Sequence, residues 1–212
     1  MVAKVIDSNI AANEKALVMR EFDIMAKLHH PNIVQFLGYI DEPLIIVMEY
    51  IPNGNLLSNL EKLKSKERIS IMKDILKGLA YIHNRKPACL IHRDIKLTNI
   101  LLTNSKVAKI TDFGLSRFYC LEKINSHENL VQLGEEENME FTTPVGTERY
   151  MAPEAQISGN YNNKVDIYSC GILLYELFEN KRYIPGSKMS WFWTPKKIKN
   201  IIIEKMLNSN PD

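Results

Sequence analysis

The sequence predicts an α+β fold of two unequal lobes, a small β-rich piece over residues 1–51 and a larger, mainly helical piece over 52–212. Three observations carry this prediction. Runs rich in β-branched and aromatic residues cluster before residue 51. Pro52 and Gly54 in IPNGNL then break the pattern. Beyond them, apolar residues recur at helical spacing.

In chain order, VAKVI (2–6) reads as a strand, and Asn13 to Leu28 as a helix whose irregular apolar face is Leu17, Phe22, Ile24, Met25 and Leu28. NIVQFLGYI (32–40) and LIIVMEY (44–50) form a hairpin across the turn Asp41–Pro43. Over Arg68 to His83, Ile71, Ile75, Leu79 and Ile82 keep a helical period that Met72 and Leu76 widen. Ile100 to Leu102 and Val107 to Ile110 are short strands. From about Phe118 to Phe141 the chain is polar, with EEEN at 135–138, and reads as a mobile loop. Lys164 to Phe178 is apolar enough to be a central buried helix, and Pro195 to Leu207 opens with a proline suited to a first helical position. No internal repeat is present.

Length and an apolar content of 45% allow a real core. With 27 Lys and Arg against 25 Asp and Glu, net charge gives no argument for nucleic acid or an anionic membrane as a bulk partner, so any phosphate must be bound by a local site. No run approaches the length of a membrane span, and the first residues lack a signal peptide's pattern. Cys89, Cys120 and Cys170 are far apart with no CxxC pair, which fits a reducing compartment, and the chain reads as cytoplasmic. Trp191 and Trp193 read as packed aromatics rather than a docking patch.

Two stretches carry chemistry. IHRDIKLTNILL (91–102) sets a histidine, an acid, two bases and an asparagine between apolar runs, and ITDFG (110–114) adds a second acid. Together HRDIKLTN and DFG resemble the catalytic and metal-binding loops of eukaryotic protein kinases. His92, Arg93, Asp94, Lys96, Asn99, Asp112, Phe113 and Gly114 would all match by chance on the order of 10^-10 per register. The resemblance implies a two-lobed kinase-like fold that binds ATP and Mg²⁺ and phosphorylates proteins. Asp94 is then the base or orienter that takes the substrate hydroxyl's proton, Lys96 offsets charge on the transferring phosphate, and Asn99 and Asp112 supply oxygens for Mg²⁺.

Other parts match by alignment. Lys4 resembles the strand lysine that grips the α and β phosphates, and Glu21 the helix glutamate that pairs with it. IIVMEYIPNGNL resembles the hinge, with Met48 as gatekeeper and Glu49 C=O and Ile51 N–H as adenine's backbone partners. Val2 and Leu101 would sandwich the ring. Met25, Phe36, His92 and Phe113 would stack between the lobes, anchored by Asp166. GTERYMAPE (146–154) resembles the end of an activation segment. Thr143, eleven residues before Glu154, stands where activating phosphorylation by an upstream kinase or by the chain itself falls, with Arg93 as phosphate partner. Lys96, and Thr147 after Gly146, resemble kinases specific for serine and threonine. HPNIVQFLG, YMAPE and DIYSCGILLYELF look most like the tyrosine-kinase-like branch of those enzymes. The implied partner is a protein presenting a Ser or Thr hydroxyl in intracellular signalling.

The resemblance covers about four fifths of a kinase domain. No G-x-G-x-x-G occurs, so the small lobe is expected to be truncated, and the chain stops where the last helix of the large lobe is expected. An alternative therefore stays open, a catalytically impaired kinase-like fragment or pseudokinase scaffold that binds protein partners. Retention of Lys4, Asp94, Asn99 and Asp112 argues against it, and the absence of GxxxxGK[ST] argues against another nucleotide-binding class.

Overall fold

Valine, isoleucine and aromatic residues set the first sheet where the sequence predicts it. In the computed structural model, which describes residues 1–6, 12–86, 88–119, 146–157 and 162–184, β1 (Val2–Val5), β2 (Phe36–Ile40) and β3 (Ile45–Met48) form an antiparallel sheet in the order β1-β3-β2. Helix α1 (Ala12–Ala26) lies against it. Phe22, Ile24 and Met25 of α1 and Leu28 beyond it are buried, and the Phe22 ring stands 5.9 Å from Phe36 and 5.1 Å from Tyr39. Such aromatic contacts give a small sheet a packed face. The side chain of Leu17 lies outside the described residues.

The predicted strand 32–40 divides in two. Phe36–Ile40 pairs with β3, with a register shift between Phe36 and Gly38. Residues 32–34 instead pair with the larger lobe: Ile110 N–H donates to Asn32 C=O at 2.9 Å, Val34 N–H to Ile110 C=O at 2.9 Å, and Asn32 Nδ2 to Ala108 C=O at 3.0 Å. Backbone groups there must find partners once Ile33 and Val34 are buried, and the nearest ladder is the other lobe's. Docking thus crosses the 51/52 boundary that the sequence suggests.

In the larger lobe, α2 (Leu56–Asn59) precedes α3 (Ser65–His83), which begins three residues earlier than its apolar period implies. The Glu67 carboxylate accepts the Lys64 N–H at 2.7 Å and so defines that start. Ile71, Met72, Ile75, Leu79 and Ile82 of α3 are essentially inaccessible. They pack on two small antiparallel sheets, β4 (Cys89–Ile91) with β7 (Arg117–Tyr119), and β5 (Ile100–Leu102) with β6 (Ala108–Ile110), and on α5 (Lys164–Glu179). A short helix α4 (Pro153–Ile157) precedes α5. As predicted, α5 is central and buried almost from end to end, and it stops at Asn180 in the left-handed region. Of the loop expected over about 118–141, Phe118 and Tyr119 instead belong to β7, paired with β4; the rest of it, the helix expected over 195–207, and Trp191 and Trp193 lie outside the described residues.

Gly78 sits where α3 meets β6. A Cβ there would stand 2.8 Å from Ile110 Cδ1 and 3.0 Å from Asn32 O, an oxygen held by the Ile110 amide. Gly78→Ala gains about 1 kcal/mol in helix propensity, but overpacking against a fixed carbonyl costs roughly 1–3 kcal/mol. The expected outcome is a lower urea midpoint, and a stabilised Gly78→Ala would show the contact to be slack.

Candidate active site

The quoted loop runs from β4 through a 3₁₀ turn at Leu97–Asn99 into β5, so it is tied to the core at both ends. Its backbone is shaped by Asp166 at the start of α5, whose side chain has no solvent exposure. Asp166 Oδ1 accepts the Arg93 N–H at 2.8 Å, and Oδ2 accepts the His92 N–H at 2.8 Å while lying 2.8 Å from His83 Nε2. Arg93 takes φ of 68°, a costly conformation for a side-chain-bearing residue, and these bonds hold it there.

His92 is wholly buried. Burial pushes its imidazole below the ordinary value, against the opposing pull of Asp166 and of the bond to Thr111, so the ring is neutral at pH 7. Its tautomer follows from its neighbours. Nδ1 accepts the Asp94 N–H at 3.3 Å, leaving Nε2–H to donate to Thr111 C=O at 3.1 Å. His92 thereby ties the Asp94 loop to the residue before Asp112, and its ring packs edge-on to Phe113 at 4.8 Å. Met25 and Phe113 are buried in the one main core, with Phe36 packed against it.

Asp94 is the meeting point. Its Oδ2 accepts from Lys96 Nζ at 2.6 Å and Asn99 Nδ2 at 2.9 Å, and its Oδ1 from Thr147 Oγ1 at 2.9 Å and Thr147 N–H at 3.2 Å. Lys96 Nζ also donates to Thr147 Oγ1 at 2.9 Å. Burial raises the carboxyl's pKa, but the Lys96 and Thr147 bonds, the Lys96 charge and the Asn99 bond together outweigh it and hold the group below 3.8. Asp94 is therefore an ionised acceptor at neutral pH.

Gly146 lets Thr147 come this close. It takes φ of +123°, and a Cβ on it would stand 2.7 Å from Arg93 O. After Thr147, the turn Glu148–Tyr150 is fixed by Tyr150 Oη donating to the buried Glu176 of α5. Burial and this carboxylate push the Tyr150 phenol up to about 12. Nothing in the spacing of Tyr150 and Glu176 along the sequence signals that pairing.

Asp112 is exposed, with φ of 68°, and lies beside Asn99 because Thr111 N–H donates to Asn99 C=O at 3.0 Å. With Nδ2 of Asn99 directed to Asp94, its Oδ1 and the Asp112 carboxylate are the oxygens left for a cation. Among the described residues no group of three or more His, Cys, Asp or Glu forms a metal cage. An amide and one carboxylate suit Mg²⁺, which takes few protein ligands and completes its shell with water and substrate phosphate.

In the small lobe, Lys4 pairs across strands with Ile46, and Ile46 with Tyr39, whose ring faces Phe22 of α1. Lys4 therefore lies on the face turned to α1. Val2 and Met48 are cross-strand partners on that same face. Glu21 is part of α1, but its side chain, like all of Thr143, lies outside the described residues. The predicted role of Glu49 is its carbonyl. Its carboxylate has an unforeseen one, accepting from Lys109 Nζ at 2.6 Å and from Gln35 N–H at 2.7 Å and so tying the hinge to both lobes. Ile51 is buried, and Leu101 is half-buried between the buried Ile100 and Leu102. Arg93 directs Nε to Leu115 C=O.

The family model described as "Protein kinase domain" matches residues 1–210. Among curated proteins, "Serine/threonine-protein kinase VIK" of Arabidopsis thaliana is 38% identical over 180 residues, covering 80% of this chain and 38% of that protein. "Serine/threonine-protein kinase CTR1" from the same plant is 37% identical over 75% of this chain and 18% of its own length. "Calmodulin-binding receptor-like cytoplasmic kinase 3", also from that plant, is 35% identical over 80% of this chain and 32% of its own. The chain belongs to the protein kinase family. It spans well under half the length of these relatives.

Two substitutions test this site. Asp94's depressed pKa means that its share of stability is full at neutral pH and is lost as pH falls through the lowered value. In Lys96→Met the carboxyl pKa rises and that loss begins at higher pH, as an acid titration of carboxyl ¹³C shifts would show. An unmoved Asp94 titration would contradict the balance described above. Asp166→Asn puts an N–H₂ against donors and is expected to cost about 3 kcal/mol in urea unfolding.

Proposed function

We propose that the chain transfers the γ-phosphate of ATP to serine or threonine hydroxyls of proteins. The observation that carries this reading is the Asp94 carboxylate, kept ionised and in contact with both Lys96 and Thr147. An ionised oxygen in a fixed place can accept a hydrogen bond from a substrate hydroxyl and orient its lone pair in line with phosphorus. As the new O–P bond forms and the bond from phosphorus to the bridging oxygen of ADP breaks, the hydroxyl proton passes to Asp94. The Lys96 ammonium, held beside Asp94, offsets charge on the phosphoryl oxygens.

Asn99 and Asp112 are the residues that would hold Mg²⁺, which when bound neutralises phosphate charge. In this reading Lys4, paired with Glu21, binds the α and β phosphates. Adenine lies between Val2 and Leu101 and meets the backbone of Glu49 and Ile51. The names of the relatives above support serine and threonine as acceptors. Thr143 is the proposed site of regulatory phosphorylation, by an upstream kinase or by autophosphorylation, with Arg93 as its partner. The proposed setting is cytoplasmic; no helix among the described residues is long and apolar enough to cross a membrane.

The test is transfer of labelled γ-phosphate from Mg·ATP to a generic Ser/Thr protein substrate and to the chain itself. Asp94→Asn keeps the shape and removes the charge, and is expected to lower kcat about a hundredfold or more. A folded wild-type chain that transfers no label would overturn the reading in favour of a partner-binding scaffold.

A further inference from the structure

Asn59 is a buried amide in an apolar setting. It is 7% exposed and sits in the four-residue helix α2, with Leu56 fully buried one turn before it and Leu60 buried just after it. An amide in such a place destabilises the fold unless its donors are satisfied. Its Nδ2 donates to Asn53 C=O at 2.7 Å and to Asn55 C=O at 2.8 Å. The first carbonyl belongs to the turn that leaves the hinge, Ile51 to Gly54, closed by Gly54 N–H donating to Ile51 C=O, and the second to Asn55, which follows that turn and caps α2.

That turn is also stitched to β5 and the residue after it. Asn53 N–H donates to Leu102 C=O at 3.2 Å, Leu102 N–H donates to Gly54 C=O at 2.9 Å, and Asn53 Nδ2 donates to Thr103 C=O at 2.7 Å. Asn55 forms a further β-bridge to Leu101. The turn therefore runs alongside β5 as an extra, irregular strand, and Asn59 braces it from the other side. Ile51 enters the turn at one end, and Leu101 lies on the strand that the turn is sewn to.

We infer that Asn59, acting with Asn53, is a positioning residue for the nucleotide: it fixes the Ile51 backbone at a set distance from Leu101. The inference rests on the proposed adenine site between these residues. It goes beyond that reading by assigning the width of the site to an amide that does not touch the ligand. The expected signature is a change in nucleotide affinity without a change in the chemical step, because Asp94 is held by other bonds, to His92 and Asn99, and Lys96 and Thr147 are bonded to Asp94 itself.

The experiment compares the wild-type chain with Asn59→Leu, which keeps the bulk and removes both donors. Asn84→Ala serves as a control; the exposed Asn84 Nδ2 donates to Ala80 C=O at 2.8 Å at the far end of α3 and so loses an amide bond of the same length remote from the hinge. Mg·ADP binding is read by calorimetry, kcat and KM for ATP by phosphate transfer, melting temperature by calorimetry, and amide exchange by NMR. In Asn59→Leu, Kd for Mg·ADP and KM for ATP are expected to rise about tenfold with kcat within about twofold. Exchange at the Leu102 amide should quicken, and Asn84→Ala should lower the melting temperature without moving Kd. Nucleotide affinity in Asn59→Leu equal to wild type, or a kcat that falls as far as affinity does, overturns the inference while leaving the kinase reading standing. If Asn59→Leu fails to fold, Asn53→Ala, which loses only the bond to Thr103, must show the same split between KM and kcat, and the inference falls if it does not. A folded wild-type chain that binds no Mg·ADP overturns both.

Discussion

The buried Asp166 carboxylate takes hydrogen bonds from His92, Arg93 and His83, residues 73 to 83 positions earlier in the chain, and the site loop owes its shape to the first two. Without an acceptor there, the His92 and Arg93 backbone N–H groups would lose their partner and Arg93 would lose two of the bonds that fix its stretch of chain at positive φ. The arrangement then passes outward through one ring. His92, kept neutral by burial, accepts from Asp94 and donates to Thr111. The two acids proposed for proton transfer and metal binding are thus referred to a single helix, which is itself buried along most of its length.

The same use of buried polar groups recurs elsewhere in the larger lobe. Glu176, 2% exposed, accepts from Tyr150 Oη and from the Tyr183 amide, and Ser169 Oγ donates to Tyr150 C=O. Loops that carry chemistry have few apolar residues with which to pack, so they are fixed by hydrogen bonds to acceptors on a rigid helix. A mostly apolar α5 with a few well-placed polar residues serves both purposes.

Much of this was legible in the sequence, for reasons that also explain the gaps. α1, α3, α5 and the three strands of the first sheet have enough periodic or β-branched residues to show themselves, and Asp94, Lys96 and Asn99 stand in one stretch, and Asp112 in a second, that together resemble the loops of protein kinases. The strand β7 did not show, because its three residues are strand only by pairing with Cys89–Ile91. The short helices α2 and α4 offer too few turns for a period to appear. The division of residues 32–40 between two lobes was equally hidden, since Ile33 and Val34 look alike whichever ladder they join. At the site, the contact of Thr147 with Asp94 and the bond from Lys109 to Glu49 span 53 and 60 residues, and no local pattern encodes either.

The surroundings of Asp94 bear on how anything enters the cleft. A carboxylate offers about four lone-pair positions, and the bonds from Lys96, Asn99, Thr147 Oγ1 and Thr147 N occupy one each. In the proposed reaction a substrate hydroxyl would therefore have to exchange with one of these occupants. The weakest holder by length is the Thr147 amide at 3.2 Å, and the Thr147 hydroxyl is itself an alcohol of the kind proposed as acceptor. The resting cleft is thus a saturated acceptor with a stand-in alcohol already seated, and occupancy there is a matter of substitution rather than addition.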